Sequence, residues 1–259
     1  MLRIREPCGV VCVVSIAIME GISIEIILLC IGASFIQRTT GFGFGIFIMT
    51  MLPYFTATYG EATTLSGLWA MATSLAVVVK MRRYLSWKRL WLILLTFMVV
   101  SSLSVFALKR MDNALLNRIL GVVLILCSLY FAFFSKRIQL KPTRSTQLTA
   151  GTLSGLMGGF FAMQGPPAVL YFISSEQDKE HYMAQVQCYF LLGNLTMTLS
   201  RAMNGFLTPA VGMDFLFGLV GVLIGSSLGA FVFRRIPGRL FRYVVYTYIG
   251  ISGLVILLK

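Results

Sequence analysis

Two apolar stretches, residues 22–57 and 147–174, are each interrupted midway by glycine or proline. A helix in hydrocarbon must pair its own backbone groups, so unwound chain at that depth survives only inside protein or beside water. Interruption at matching places of two halves is the sequence mark of a transporter site. The halves can be matched without gaps. Laying residues 101–118 over 226–243 brings Ser101, Ser102, Leu103, Phe106, Arg110 and Leu115 onto Ser226, Ser227, Leu228, Phe231, Arg235 and Leu240. A shift one residue shorter carries Gly41 onto Gly165, so the halves agree in order as well as composition.

With 58% apolar and 12% charged residues, the chain has too little polar surface to coat a soluble globule. The runs 90–108, 115–134, 215–233 and 240–258 each approach the ~20 residues that cross a bilayer. A net charge of +13 suggests nucleic acid in a soluble protein. Here the basic residues cluster in short loops (Lys80, Arg82, Arg83, Lys88 and Arg89; Lys136, Arg137, Lys141 and Arg144; Arg234, Arg235, Arg239 and Arg242), where they set orientation. No nucleic-acid partner is expected. The five cysteines lie in apolar segments and read as small hydrophobes. A lone histidine, His181, excludes a zinc site of several histidines, and neither metal nor cofactor is expected.

If residues 147–174 turn back instead of crossing, fourteen loop Lys and Arg lie on one side and four on the other; a single crossing gives ten against eight. The turn-back obeys the positive-inside rule far better. The same turn-back for residues 22–57 gives each half five segments, and an odd number inverts the second half. It also accounts for the loop at 202–213 lacking the Lys and Arg that fill its counterpart at 80–89. The expectation is an all-α polytopic membrane protein of two inverted five-segment repeats, each starting with a broken or re-entrant helix pair. Its parts are a signal-like or short anchoring segment (1–21), repeat 1 (22–134), a cytoplasmic linker (135–146) and repeat 2 (147–259).

The first break reads Gln37-Arg38-Thr39-Thr40-Gly41-Phe42-Gly43-Phe44-Gly45, followed by Pro53. Alternate glycines let backbone approach a ligand closely, and a helix restarting after them offers N–H groups to an anion. Arg38 stands at this break instead of in a basic loop. It reads either as a fixed cation for an anionic substrate or as a residue that snorkels or pairs with Glu25 or Glu61. The second break reads Gly155-Leu156-Met157-Gly158-Gly159, then Gln164-Gly165-Pro166-Pro167, whose prolines remove two backbone donors. Gln37 and Gln164 can donate neutral hydrogen bonds. Among polar residues in apolar helices, Asn194, Gln187 and Arg201 are the candidates to face a cavity. The candidate substrate-binding set is Gln37, Arg38, Thr40, Gly41, Gly43, Gly45, Gln164, Gly165, Pro166, Pro167 and Asn194. No Ser-His, His-Glu-x-x-His or paired-aspartate arrangement supports an enzyme.

From about residue 22 to residue 258 the chain resembles the sulfite exporter TauE/SafE family. The resemblance rests on the stretch 32–53 with its Thr-Gly-Phe-Gly-Phe core, the Met81-Arg82-Arg83-Tyr84-Leu85-Ser86-Trp87 loop, and the stretch 155–171 ending Gly-Pro-Pro-Ala-Val-Leu-Tyr. It implies a plasma-membrane permease of two inverted repeats that moves sulfite, organosulfonates or related small anions, generally outward, with Gly41, Gly43, Gly45, Pro53, Gly165, Pro166 and Pro167 at the broken-helix site. Where related sequences often carry an arginine after the loop that follows Gly-Pro-Pro, this chain has His181-Tyr182-Met183, and Arg38 is not a general feature. The expected function is a secondary transporter working by alternating access, with lipid and a small anion as partners and homo-oligomerisation left open. An anion channel and a non-transporting assembly subunit are the alternatives.

Overall fold

The computed structural model describes residues 24–39, 41–129, 141–176 and 179–232, with single positions at 254 and 258. Segment 1–21, Thr40, the end of the 115–134 run, most of the linker and the 240–258 run lie outside the described residues. Every described element is helical: α1 (24–39), α2 (Phe44–Ile48), α3 (Tyr59–Met81), α4 (Trp87–Leu108), α5 (Asn113–Leu129), α6 (Arg144–Phe161), α7 (Gly165–Ser175), α8 (Lys179–Met203) and α9 (Pro209–Val232). Among the described residues, three stretches are long and apolar enough to cross a membrane: Tyr59–Tyr84, Trp87–Leu108 and Pro209–Phe231. Two of them contain the runs expected at 90–108 and, as far as it is described, 215–233. The chain is a membrane protein. At 25 residues α8 is ~37 Å long, and Gln185, Gln187, Asn194, Thr198, Ser200 and Arg201 make it polar, but all six are buried.

Local chemistry sets the helix ends. Thr143 and Thr146 close a reciprocal capping box at the start of α6, and Thr58 caps α3 by accepting from the Glu61 N–H. The restart after the first break is shorter than a helix over 42–57: α2 has only five residues. Thr50 Oγ1 turns back to the Phe47 carbonyl at 2.7 Å, and Pro53, which lacks an N–H, sits in a 3-10 turn over Leu52–Tyr54.

Glycines bring helix backbones together. A Cβ on Gly151, Gly155 or Gly159 of α6 would strike Ile93 and Thr96, Val100, or Ser101 and Ser104 of α4 in turn. The two helices therefore run parallel. Gly155, Gly158 and Gly159 belong to this packing and lie within α6, so the second interruption begins only after Phe161. In the same way Gly221, Gly225 and Gly229 of α9 lie against residues 27, 31 and 35 of α1. Helix α3 runs antiparallel to α8, with Gly60 beside Phe206 and Gly67 beside Thr198 and Arg201. Helix α7 doubles back on α6. Its end meets the start of α4, where Arg89 Nη1 binds Glu176 Oε2 at 2.7 Å and the Ser175 carbonyl at 2.8 Å. Gln185 reaches the Ser86 carbonyl there, and His181 packs edge-on against Tyr84.

The outer surface is apolar. Trp91, Leu95, Val99, Leu103 and Phe106 form an exposed stripe on α4, as Leu216, Val220, Leu223 and Phe231 do on α9. Apolar residues face outward while amides and a guanidinium lie inside, as lipid-facing helices around a polar interior require.

Candidate functional site between the two helix breaks

Both breaks begin with a residue in the left-handed region that donates back four positions. Gly41 (φ 86°) bonds the Gln37 carbonyl at 2.8 Å, and Ala162 (φ 56°) bonds the Gly158 carbonyl at 3.0 Å. The Met163 N–H also reaches the Met157 carbonyl at 3.2 Å, completing a Schellman-type end to α6. Glycine tolerates that conformation freely, whereas alanine costs roughly 1–2 kcal/mol. Pro166 has no N–H for the Ala162 carbonyl, which instead lies against the bare Cα of Gly45: a Cβ on Gly45 would stand 2.1 Å from that oxygen. The breaks therefore touch, backbone to backbone, because one side has a glycine and the other a carbonyl freed by proline.

Between them lies a small, partly open pocket lined by Gln37, Gly43, Phe44, Gly45, Ile46, Ala70, Ala162, Met163, Gln164, Gly165, Phe190 and Asn194. Of the residues singled out from sequence, Gln37, Gly43, Gly45, Gln164, Gly165 and Asn194 come together here. Gly41 stands just behind, its carbonyl accepting from Gln187 Nε2 at 2.7 Å. Pro166 and Pro167 occupy the first turn of α7 without lining the space. Arg38 lies elsewhere: its side chain packs over Gly229 of α9. Adjacent helical residues are ~100° apart, so with Gln37 turned inward its neighbour faces outward. Thr40 lies outside the described residues.

The polar groups are arranged for neutral recognition. Gln37 Nε2 donates to Ser74 Oγ at 3.1 Å and to Gln187 Oε1 at 3.3 Å, tying α1, α3 and α8 together at one end of the space. Gln164 is nearly uncommitted, since its contact from Nε2 to the Phe190 carbonyl is 3.5 Å and its Oε1 has no partner. Backbone donors are scarce: α2 is too short for a helix-end site, and α7 opens with two prolines.

Sequence reasoning left Arg201 among several cavity candidates. It is fully buried, with Nη2 on the carbonyls of Gly158 and Gly159 at 2.9 and 3.2 Å, while Nε and Nη1 have no partner. A cation in a membrane helix costs roughly 2.5–3.5 kcal/mol on insertion scales. The legible signal was spacing: Gln187, Asn194 and Arg201 recur every seven residues, placing them on one face of α8. The aliphatic and aromatic lining, such as Ile46, Ala70 and Phe190, carried no such signal.

The profile of the sulfite exporter TauE/SafE family matches residues 26–256. A curated relative, described as a probable sulfite/organosulfonate exporter TauE of Cupriavidus necator, is 24% identical over 208 residues, covering 79% of this chain and 80% of the relative. No solved structure matches. The helical membrane architecture and the family match agree, and the chain belongs to the sulfite exporter TauE/SafE family of membrane transporters, which are not enzymes.

Proposed function

We propose that the protein is a secondary transporter of the plasma membrane that moves small sulfur oxyanions, sulfite or organosulfonates, by alternating access, with the substrate seated between the two broken helices. The observation that carries this reading is the common cavity where the breaks meet. The substrate class follows the name of the Cupriavidus necator relative.

Two inverted repeats, 22–134 and 147–259 joined by the linker 135–146, supply the moving parts. Support comes from contact pairs in addition to identities. Shifting α4 by 125 residues and α6 by 124 turns the pairs Thr96–Gly151, Val100–Gly155 and Ser104–Gly159 into Gly221–Ile27, Gly225–Ile31 and Gly229–Phe35, which are the contacts between α9 and α1. Each half's first helix thus packs on the other half's fourth, and the antiparallel α3 and α8 meet at the centre, as a two-fold axis in the membrane plane requires. The basic loop at 80–89 and the end of α7 share one face through Arg89 and Glu176. By the positive-inside rule that face is cytoplasmic, and α6 with α7 forms a re-entrant pair entering from it.

Purified protein in liposomes should take up sulfite or methanesulfonate with saturable kinetics. Flux that rises linearly without saturation would mark a channel, and no flux of any sulfur oxyanion by folded protein would remove the assignment.

A further inference from the structure

We infer that Arg201 is the charge partner of the transported anion, and that Asn194, Thr198 and Tyr59 complete an oxyanion cradle in the seam between α3 and α8. This rests on the transporter reading and extends it by naming the residue that selects for negative charge.

The guanidinium is held at one corner only. Its Nη2 binds two carbonyls at the C-terminal end of α6, which leaves Nε and Nη1 unpaired. Nη1 is free to give an anion a charge-assisted hydrogen bond. Among the described residues the salt bridge is Arg89–Glu176, and no carboxylate pairs with Arg201. A buried cation without a counter-ion is poorly accommodated unless an anion visits it.

The surroundings are unpaired in the same place. Thr198 Oγ1 and Tyr59 Oη are buried and lack hydrogen-bond partners. Tyr59 lies within electrostatic reach of the guanidinium. Three of these groups converge on Gly67 of α3: the point where its Cβ would stand is 3.3 Å from Arg201 Nη1, 3.5 Å from Thr198 Oγ1 and 3.8 Å from Asn194 Oδ1. A cation, a hydroxyl and an amide therefore lie together against α3. Asn194 belongs both to this cluster and to the lining of the cavity between the breaks. Helical side chains lean toward their N-terminus, so Arg201, although seven residues beyond Asn194, reaches back toward it.

The full chain, purified in detergent and also reconstituted, tests this with three variants. Binding is read as saturable thermal stabilisation by sodium sulfite or methanesulfonate against sodium chloride at equal ionic strength; flux is read in liposomes. Arg201→Lys keeps the charge but loses the Nη1 donor, and should weaken both by roughly tenfold to a hundredfold, the factor for one charge-assisted hydrogen bond. Arg201→Gln should abolish both. Gly67→Ala, which on helix propensity alone strengthens α3, should crowd Nη1 and lower affinity with the residue Arg201 itself retained, so a melting point at or above wild type would show that a folding defect is not the cause. An Arg201 that merely ends α6 predicts wild-type affinity in Gly67→Ala and Arg201→Lys, and that result overturns the inference even if wild-type flux upholds the transporter. Arg201-dependent binding without flux in any variant would uphold the cradle and remove the transporter.

Discussion

Gly45→Ala tests whether the contact between the breaks does what the geometry demands. The added Cβ would stand 2.1 Å from the Ala162 carbonyl oxygen and 3.1 Å from its carbon, where ordinary contact begins near 3.4 Å, so the breaks must part by more than 1 Å. The obstacle is backbone and has no rotamer to escape through. Ala162 is already in the left-handed region and cannot yield cheaply. Overpacking of this kind costs about 1–3 kcal/mol, against a helix-propensity gain of about 0.5–1 kcal/mol, leaving a net loss of ~1–2 kcal/mol. Parting the breaks also withdraws cavity groups on one side from a substrate held by the other; each lost hydrogen bond is worth ~0.5–1.5 kcal/mol, so two reduce flux by roughly tenfold or more. Unfolding can be followed with a thiol-reactive dye, because Cys30, Cys127 and Cys188 are buried and free. Gly212→Ala is the control: on α9 nothing lies within 4 Å of its added carbon, so stability should hold or rise and flux stay unchanged. Wild-type melting and wild-type flux in Gly45→Ala would refute the close approach and its role.

Ala162→Gly should act in the opposite sense on stability, raising it by about 1 kcal/mol as glycine relieves the left-handed strain at the end of α6; the same melting assay checks this, and an unchanged or lower midpoint counts against the strain. Gln187→Leu strips the Gly41 carbonyl of its donor and Gln37 Nε2 of one acceptor, for a loss of roughly 1–3 kcal/mol from buried groups left unpaired. If the glutamines close one end of the cavity, that variant should also leak substrate down a gradient under conditions where wild type does not, which single-direction flux measures.

What could be read from sequence was what depends on composition and spacing. The offset that laid Ser101 on Ser226 needed only side-chain identities, and that offset for α4, with the one-residue-shorter shift for α6, carries the α4–α6 contacts onto those of α9 and α1. Glycine and proline at 41–45 and 164–167 marked interruptions because their backbone limits are intrinsic. The role of Gly155, Gly158 and Gly159 was not intrinsic. A glycine serves equally to unwind a helix or to let a second helix approach it, and only α4 lying across that face decides for packing.

The charges show the same division more sharply. Arg38 adjoins the glycine break in sequence, yet a one-residue step turns a helix by ~100°, so proximity along the chain gives no proximity to the cavity once Gln37 has taken the inward face. Arg201 is thirty-six residues beyond Gly165 and still reaches the carbonyls of Gly158 and Gly159, because α8 and α6 both pack against α4 and its side chain is long enough to span between them. What placed it was a seven-residue recurrence with Asn194 and Gln187, three polar residues on a helix that had to bury one face. In a membrane bundle the informative question about a charge is which helix face it shares and what remains unpaired around it. By that measure Arg201, buried with two donors uncommitted, outranks a cation half-covered at a helix seam.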